Sequence, residues 1–240
     1  MPNAPANTFR APHTAGIASA APSASAQGAP TQDLIEQAPM SDSLRRLARR
    51  GAISRLRKGV QVITEGDRGD TLHLILAGRL RAFSAGDDGR EITYAHYGPG
   101  EYVGEMGLDG GLRAASVETT EPSVCALLTR PTLEQHLRDE PAFAFELLSK
   151  VIWRARVATL SLRQIALNDV YGRLKSLLDS QAQGHWPHAW DPAPSHKEIG
   201  QLLGCTSAMV TTVMGDLKRG GYMQIDRRRI VLFKPLPSKW

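Results

Sequence analysis

The run Ser195-His196-Lys197-Glu198-Ile199-Gly200-Gln201-Leu202-Leu203-Gly204-Cys205-Thr206-Ser207-Ala208-Met209-Val210 decides the fold of the C-terminal part of this 240-residue chain. Ser195 followed three residues later by Glu198 has the form of a capping box, in which hydroxyl and carboxylate each satisfy an orphan amide of a first helical turn. A helix therefore starts here, with Ile199, Leu202 and Leu203 as its apolar stripe, and Gly204 permits the left-handed turn that ends it. Thr206 is placed to cap a second helix whose buried stripe is Val210, Val213, Met214 and Leu217, stopped by Gly220 and Gly221. Two helices joined by so short a turn cross steeply instead of lying antiparallel, which is helix-turn-helix geometry. The second helix is then exposed along Ser207, Ala208, Thr211 and Thr212, and it is narrow enough to enter a major groove about 12 Å wide.

Beyond it, Tyr222 to Ile225 and Ile230 to Phe233 alternate as a β-hairpin around Asp226-Arg227-Arg228-Arg229. An arginine-rich tip beside such a helix suits phosphate oxygens, which supply affinity and salt sensitivity without sequence information. Charge follows the same division. Residues 195–240 hold eight Lys and Arg against three acids, an excess equal to the +5 of the whole chain. The expected partner of this end is double-stranded DNA, contacted by Ser195, His196, Thr206, Ser207, Ala208, Thr211, Thr212, Lys218, Arg227 and Arg228. A solvated basic tail on a generic helical hairpin is the competing reading of the same residues.

Toward the N-terminus, a helix over Asp169–Gln181 leads into a loop containing His185, Trp186, Pro187 and His188. Before it, 141–167 runs without an internal glycine or proline. There Leu148, Val151, Ala155, Ala158, Leu162 and Ile165 recur in steps of three and four, the seam of a two-stranded coiled coil. That spacing predicts a homodimer; the alternative is an amphipathic helix packed on its own domain, since Phe143, Phe145, Ile152 and Trp153 are apolar off the seam. From Gly59 to Leu128 the texture is short β-rich runs: Val60–Thr64, Thr71–Ala77, Leu80–Ser84, Ile92–Tyr97, Ala115–Thr119 and Val124–Leu128. Separated by Gly, Asp and Pro turns, they predict an antiparallel jelly-roll barrel. Leu44–Leu56 reads as a short helical pattern carrying Arg45, Arg46, Arg49 and Arg50, and residues 1–40, poor in large apolar side chains, read as a disordered tail.

With these elements in place, the chain from about Leu56 to Phe233 resembles the Crp-Fnr family of bacterial regulators, on the helix-turn-helix run above and on Asp169-Val170-Tyr171-Gly172-Arg173. A second motif, Gly104-Glu105-Met106-Gly107-Leu108 with Arg113-Ala114-Ala115-Ser116-Val117, resembles the phosphate-binding cassette of cyclic-nucleotide-binding domains. The resemblance implies that Arg113 forks onto a phosphate, Glu105 accepts from a ribose hydroxyl, Gly104 and Ala114 offer amides, and Thr159 reaches the base. A Glu105–Arg113 ion pair inside an empty barrel is the bland alternative. The implied effector is cyclic AMP or cyclic GMP, with cyclic di-GMP as a further candidate, because the segment from Glu105 to Arg113 is about one residue shorter than the usual cassette and Ala158 replaces one of two family hydroxyls. Ser207, Ala208 and Thr212 stand where the family reads bases with arginine and glutamate, so the recognised site should differ from the usual one.

The expected architecture is thus α+β: a tail over 1–40, a cyclic-nucleotide-binding-type jelly-roll β-barrel over 41–138, a dimerisation helix over 139–168, and a winged helix-turn-helix domain over 169–240. RNA polymerase is an expected partner. Cys125 and Cys205 lie in apolar runs without metal-ligand spacing, so no metal, disulfide or resident cofactor is expected. No apolar run nears the ~20 residues of a membrane helix, and a cytoplasmic location without membrane contact is expected. No nucleophile elbow or P-loop occurs, so no enzyme is expected; a ligand-independent or redox-responsive regulator of the same fold stays open.

Overall fold

The computed structural model describes residues 30–239, apart from the side chains of 164–167. The seam residue Ile165 and residues 1–29 of the expected tail lie outside the described residues. Two short helices come first, α1 (Thr31–Gln37) and α2 (Asp42–Ala48), the latter capped by Ser41 Oγ accepting from the Leu44 amide. They correct the sequence expectation twice. The last residues of the supposed tail are helical because Leu34 and Ile35 are buried with Leu44 and Leu47 against the barrel. The helical reading of Leu44–Leu56 fails after Ala48, where the chain extends into strand β1 (Ala52–Leu56) to pair antiparallel with β8.

The barrel continues with β2 (Gln61–Ile63), β3 (Leu72–Ala77), β4 (Leu80–Ala85), β5 (Glu91–Tyr97), β6 (Tyr102–Val103), β7 (Ser116–Thr119) and β8 (Ser123–Leu128). Two four-stranded antiparallel sheets result, in the orders β1-β8-β3-β6 and β2-β7-β4-β5, the jelly-roll arrangement. Ile63, Ile75, Leu80, Val103, Val117 and Cys125 fill the space between them. Gly78 turns β3 into β4 at φ +84°, with Ser123 Oγ 2.3 Å from where a Cβ would stand, so no other residue fits.

Helix α3 (Arg130–Asp139) follows, then the 25-residue α4 (Phe143–Leu167). Phe143 is buried with its ring edge-on to His136, 5.0 Å between centroids. Much of the rest of α4 is exposed: Leu148 52%, Val151 40% and Leu162 66% on the seam, Phe145, Ile152 and Trp153 beside it. Helix α5 (Val170–Ala182), capped by Asp169, leads into a three-stranded sheet of β9 (His188–Trp190), β10 (Met223–Asp226) and β11 (Arg229–Leu232), ordered β10-β11-β9. Between β9 and β10 stand α6 (His196–Leu203) and α7 (Ser207–Arg219). Leu174, Leu178, Ile199, Val210, Met214, Leu217 and Leu232 make the core of this second unit. Among the described residues no helix is long and apolar enough to cross a membrane, and no cluster of three or more His, Cys, Asp or Glu could hold a metal.

Candidate ligand pocket and nucleic-acid interface

Immediately after β6 the chain must reverse beside β3. Gly104 does this at φ +97°, where a Cβ would stand 2.5 Å from the Thr71 carbonyl oxygen. A 3-10 turn over Glu105–Gly107 follows, and the loop returns to Arg113, whose amide donates to the Asp67 carbonyl at 2.9 Å. The Arg113 side chain is 6% exposed. Its Nη1 donates to the Gly104 carbonyl at 2.7 Å and its Nη2 to the Thr71 carbonyl and hydroxyl, both at 2.9 Å. Gly69, Gly104 and Gly107 pack on the guanidinium so closely that a Cβ at any of them would lie 2.8–3.0 Å from one of its nitrogens. Burial lowers the Arg113 pKa, against the pull of Asp70 and Glu105.

Glu105 meets a cation that sequence reasoning missed. Arg154, projecting from α4, places Nη1 2.5 Å from Glu105 Oε1, with the two side chains 14% and 7% exposed. Its Nη2 donates to the Tyr102 carbonyl at 2.5 Å, and its guanidinium lies over the Tyr97 and Tyr102 rings at 4.8 and 5.2 Å. Burial pushes the Arg154 pKa down, and Glu105, by charge and hydrogen bond, outweighs it so that the pKa rises. Gly104, Glu105, Arg113, Ala114 and Arg154 line one cavity of about 60 Å³. That is well below the roughly 300 Å³ at which ligand pockets begin. Thr159 is not among its lining residues; it is exposed on α4 with its hydroxyl donating to the Ala155 carbonyl at 3.0 Å. The signal for Arg154 in the sequence is one charged residue a helical turn before Ala158, within the apolar seam.

In the second unit the capping box is formed on both sides: the Glu198 amide donates to Ser195 Oγ at 3.2 Å and the Ser195 amide to Glu198 Oε2 at 2.6 Å. Gly204 turns at φ +64°, and Thr206 caps α7 by accepting from the Met209 amide at 3.2 Å. The two helices cross closely enough that a Cβ at Gly200 would meet the Cys205 carbonyl oxygen at 2.7 Å. Thr206, Ser207, Ala208, Met209, Thr211, Thr212 and Lys218 are all exposed on α7 or its cap. His196, half-buried at the start of α6, reaches across to Thr211, Nδ1 to Oγ1 2.8 Å. The β10–β11 turn, with Arg227 at φ +50°, carries exposed Arg227 and Arg228; Arg228 Nε donates to the Ala193 carbonyl at 3.2 Å. All ten residues expected at a DNA surface therefore lie on α6, α7, their caps and this turn. Strand β9 falls in the expected loop, being three residues long and paired only with the distant β11.

The two units touch. Gln201 Nε2 donates to Glu91 Oε2 at 2.7 Å, and the same carboxylate oxygen takes Arg81 Nη2 at 2.8 Å, so α6 rests on β5.

Comparison with known proteins bears on both sites. Residues 53–140 match the cyclic nucleotide-binding domain family. The cAMP-activated global transcriptional regulator Vfr of Pseudomonas aeruginosa is 28% identical over 182 residues, covering 72% of this chain and 85% of that one. The CRP-like cAMP-activated global transcriptional regulator of Mycobacterium tuberculosis is 25% identical over 181 residues, 73% and 81% of the two chains. The CRP-like protein Clp of Xanthomonas campestris is 26% identical over 184 residues, 72% and 80% of the two chains. The solved structure of the c-di-GMP responsive global regulator CLP of Xanthomonas campestris is alike in fold, with a TM-score of 0.68 at 23% identity over 80% of this chain and 98% of that one.

Proposed function

The chain belongs to the Crp-Fnr family of transcription regulators, and on that premise we propose that it is a homodimeric, sequence-specific DNA-binding regulator whose affinity for DNA is set by a cyclic nucleotide held in the barrel. The divisions we assign are a barrel over 41–138, a dimerisation helix over 139–168 and a winged helix-turn-helix over 169–240. One observation carries the reading: Arg154 of α4 is ion-paired at 2.5 Å to Glu105 of the cassette, so the helix that leads to the DNA-reading unit is fastened to the acid that would receive the ligand.

In this reading Arg113 binds the phosphate, Glu105 the ribose, and Gly104 and Ala114 supply amides. Three of the five Arg113 N–H donors are directed at Thr71 and Gly104, which leaves two for a phosphodiester. A nucleotide needs several times the present 60 Å³. Admitting it makes Arg154 swing or α4 shift, and either movement is passed through α5 to the reading unit, biasing two arrangements of the dimer. The exposed seam of Leu148, Val151 and Leu162 buries against its twin, with Thr159 near the base. Two copies of α7 then face major grooves one turn, about 34 Å, apart, while Arg227 and Arg228 hold phosphates. RNA polymerase is the downstream partner. Cyclic AMP or cyclic GMP is the first reading of the effector. Cyclic di-GMP is the second, favoured by the short loop before Arg113 and by the kinship with Clp.

Calorimetric titration of the whole chain with cyclic AMP, cyclic GMP and cyclic di-GMP tests this, with Arg113→Lys as control. The lysine keeps the charge and loses the fork. One nucleotide should bind and bind at least tenfold more weakly to the variant. Heat from none of them, with DNA binding intact, would leave a ligand-independent regulator.

A further inference from the structure

We infer that the first two turns of the reading helix recognise thymine through its methyl group; this rests on the DNA-binding role proposed above. At 3.6 residues per turn, Ala208, Thr211, Thr212 and Gly215 stand opposite the buried stripe of Val210, Met214 and Leu217, with Ser207 and Met209 at the flanks. None of Ser207, Ala208, Met209, Thr211 and Thr212, the exposed residues of the first two turns, is charged or carries an amide, so these turns have neither the Arg fork that pairs with guanine O6 and N7 nor the amide that pairs with adenine; the charged Lys218 and Arg219 stand at the far end of the helix.

The two threonine hydroxyls are further restricted. Each has a single proton. Thr211 Oγ1 donates its own to the Ser207 carbonyl at 2.8 Å, and Thr212 Oγ1 to the Ala208 carbonyl at 3.1 Å. With that proton on the Ser207 carbonyl, the 2.8 Å contact with His196 is donated by the histidine in its Nδ1–H tautomer. What Thr211 and Thr212 offer outward is therefore a methyl group and an acceptor oxygen. A G·C pair presents the cytosine N4 amino donor, which the oxygens can take, and no methyl group, so it is the methyl contact that separates the pairs. An A·T pair presents the N6 amino donor and the C5-methyl of thymine, and finds both. Ser207, at the edge of the face, adds one neutral hydroxyl.

Gly215 supports close approach. A glycine inside a helix costs about 1 kcal/mol against alanine. Here a Cβ would meet nothing nearer than Arg219 Nη1 at 3.8 Å, so no packing within the chain calls for it. It lowers the helix surface at the centre of the face that has to meet the groove.

The test has two steps. Duplexes are selected from a random pool by the intact protein, with each candidate nucleotide present in turn. Each thymine of the enriched half-site is then replaced by uracil, which removes the methyl group and keeps base pairing. Loss of a contacted methyl should weaken binding about fourfold per position, the equivalent of ~0.8 kcal/mol. Thr212→Ser, which keeps the hydroxyl and removes the methyl, should abolish the thymine-to-uracil difference at one position, and Ala208→Gly at another. A half-site bound equally well with uracil throughout, or one that enriches without any thymine, overturns the inference and leaves DNA binding standing. Failure of any duplex to enrich overturns both.

Discussion

Replacing Arg154 by methionine probes the contact between α4 and the cassette. The methionine keeps much of the side chain's volume and helix propensity and removes the charge. Glu105 would be left with a side chain only 7% exposed and no cation, and breaking a buried pair in this way costs about 3–5 kcal/mol. Two further observations fix where in that range the value falls. The guanidinium also covers Tyr97 and Tyr102, contacts worth roughly 0.5–2 kcal/mol each when desolvated. Against that, Arg154 Nε is buried without a hydrogen-bond partner among the described residues, so the wild-type arginine already carries an uncompensated desolvation cost. The expected loss is about 3 kcal/mol, a large part of a domain's stability. In urea, at about 1–3 kcal/mol per molar, the midpoint of the barrel's unfolding should fall by roughly 1–3 M, followed by tryptophan fluorescence. Trp153, the residue before Arg154, is a reporter in place. Glu105→Gln in the Arg154→Met background should recover at least 1 kcal/mol, because the unpaired charge is then gone. If the two single losses simply add, to within about 0.5 kcal/mol, the pair is not a coupled unit and the linkage assigned to it is wrong.

Gly215→Ala should raise the stability of the reading unit by up to about 1 kcal/mol, seen as about 4–8 °C in a melting curve, since the added methyl meets nothing nearer than Arg219 Nη1 at 3.8 Å. Burial, aided by the nearby Arg113 charge, lowers the His73 pKa to about 4 from an unfolded value of 6.5. The unfolded chain therefore binds the extra proton between these values, and the neutral-histidine contribution, complete above 6.5, is lost as pH falls toward 4, at up to about 1.4 kcal/mol per pH unit. His73→Gln should flatten this slope in urea titrations at stepped pH; His96 and His136, also lowered, keep part of it. Glu91→Ala, which severs both Gln201 and Arg81 from one carboxylate, should leave DNA binding in place but reduce the factor by which nucleotide changes it, measured by fluorescence anisotropy.

Reading the chain in one dimension found what local chemistry dictates. Ser195, Glu198, Gly204 and Thr206 specify their helices through contacts within a few residues, and six strands of the barrel show β-rich runs between turn residues. What escaped depends on distant partners. Strand β1 has an exposed or half-buried residue at every position, and only its ladder with β8 makes it a strand. Strand β6 has two residues and β9 three, too few for a periodicity. Helix α1 exists because Leu34 and Ile35 find the barrel. In the pocket, the cassette glycines and Arg113 were legible as a motif, whereas Arg154 is defined by the fold that brings α4 over Glu105.

The proposed regulation requires that the barrel ligand and the DNA be felt by one another through the same chain. The most direct measurement is reciprocal: the affinity of an enriched duplex with and without saturating nucleotide, and the affinity of that nucleotide with and without saturating duplex. The account predicts the same factor in both directions, about fivefold or more, because coupling between binding sites is symmetric. A duplex affinity unchanged by every nucleotide that binds the barrel would contradict it.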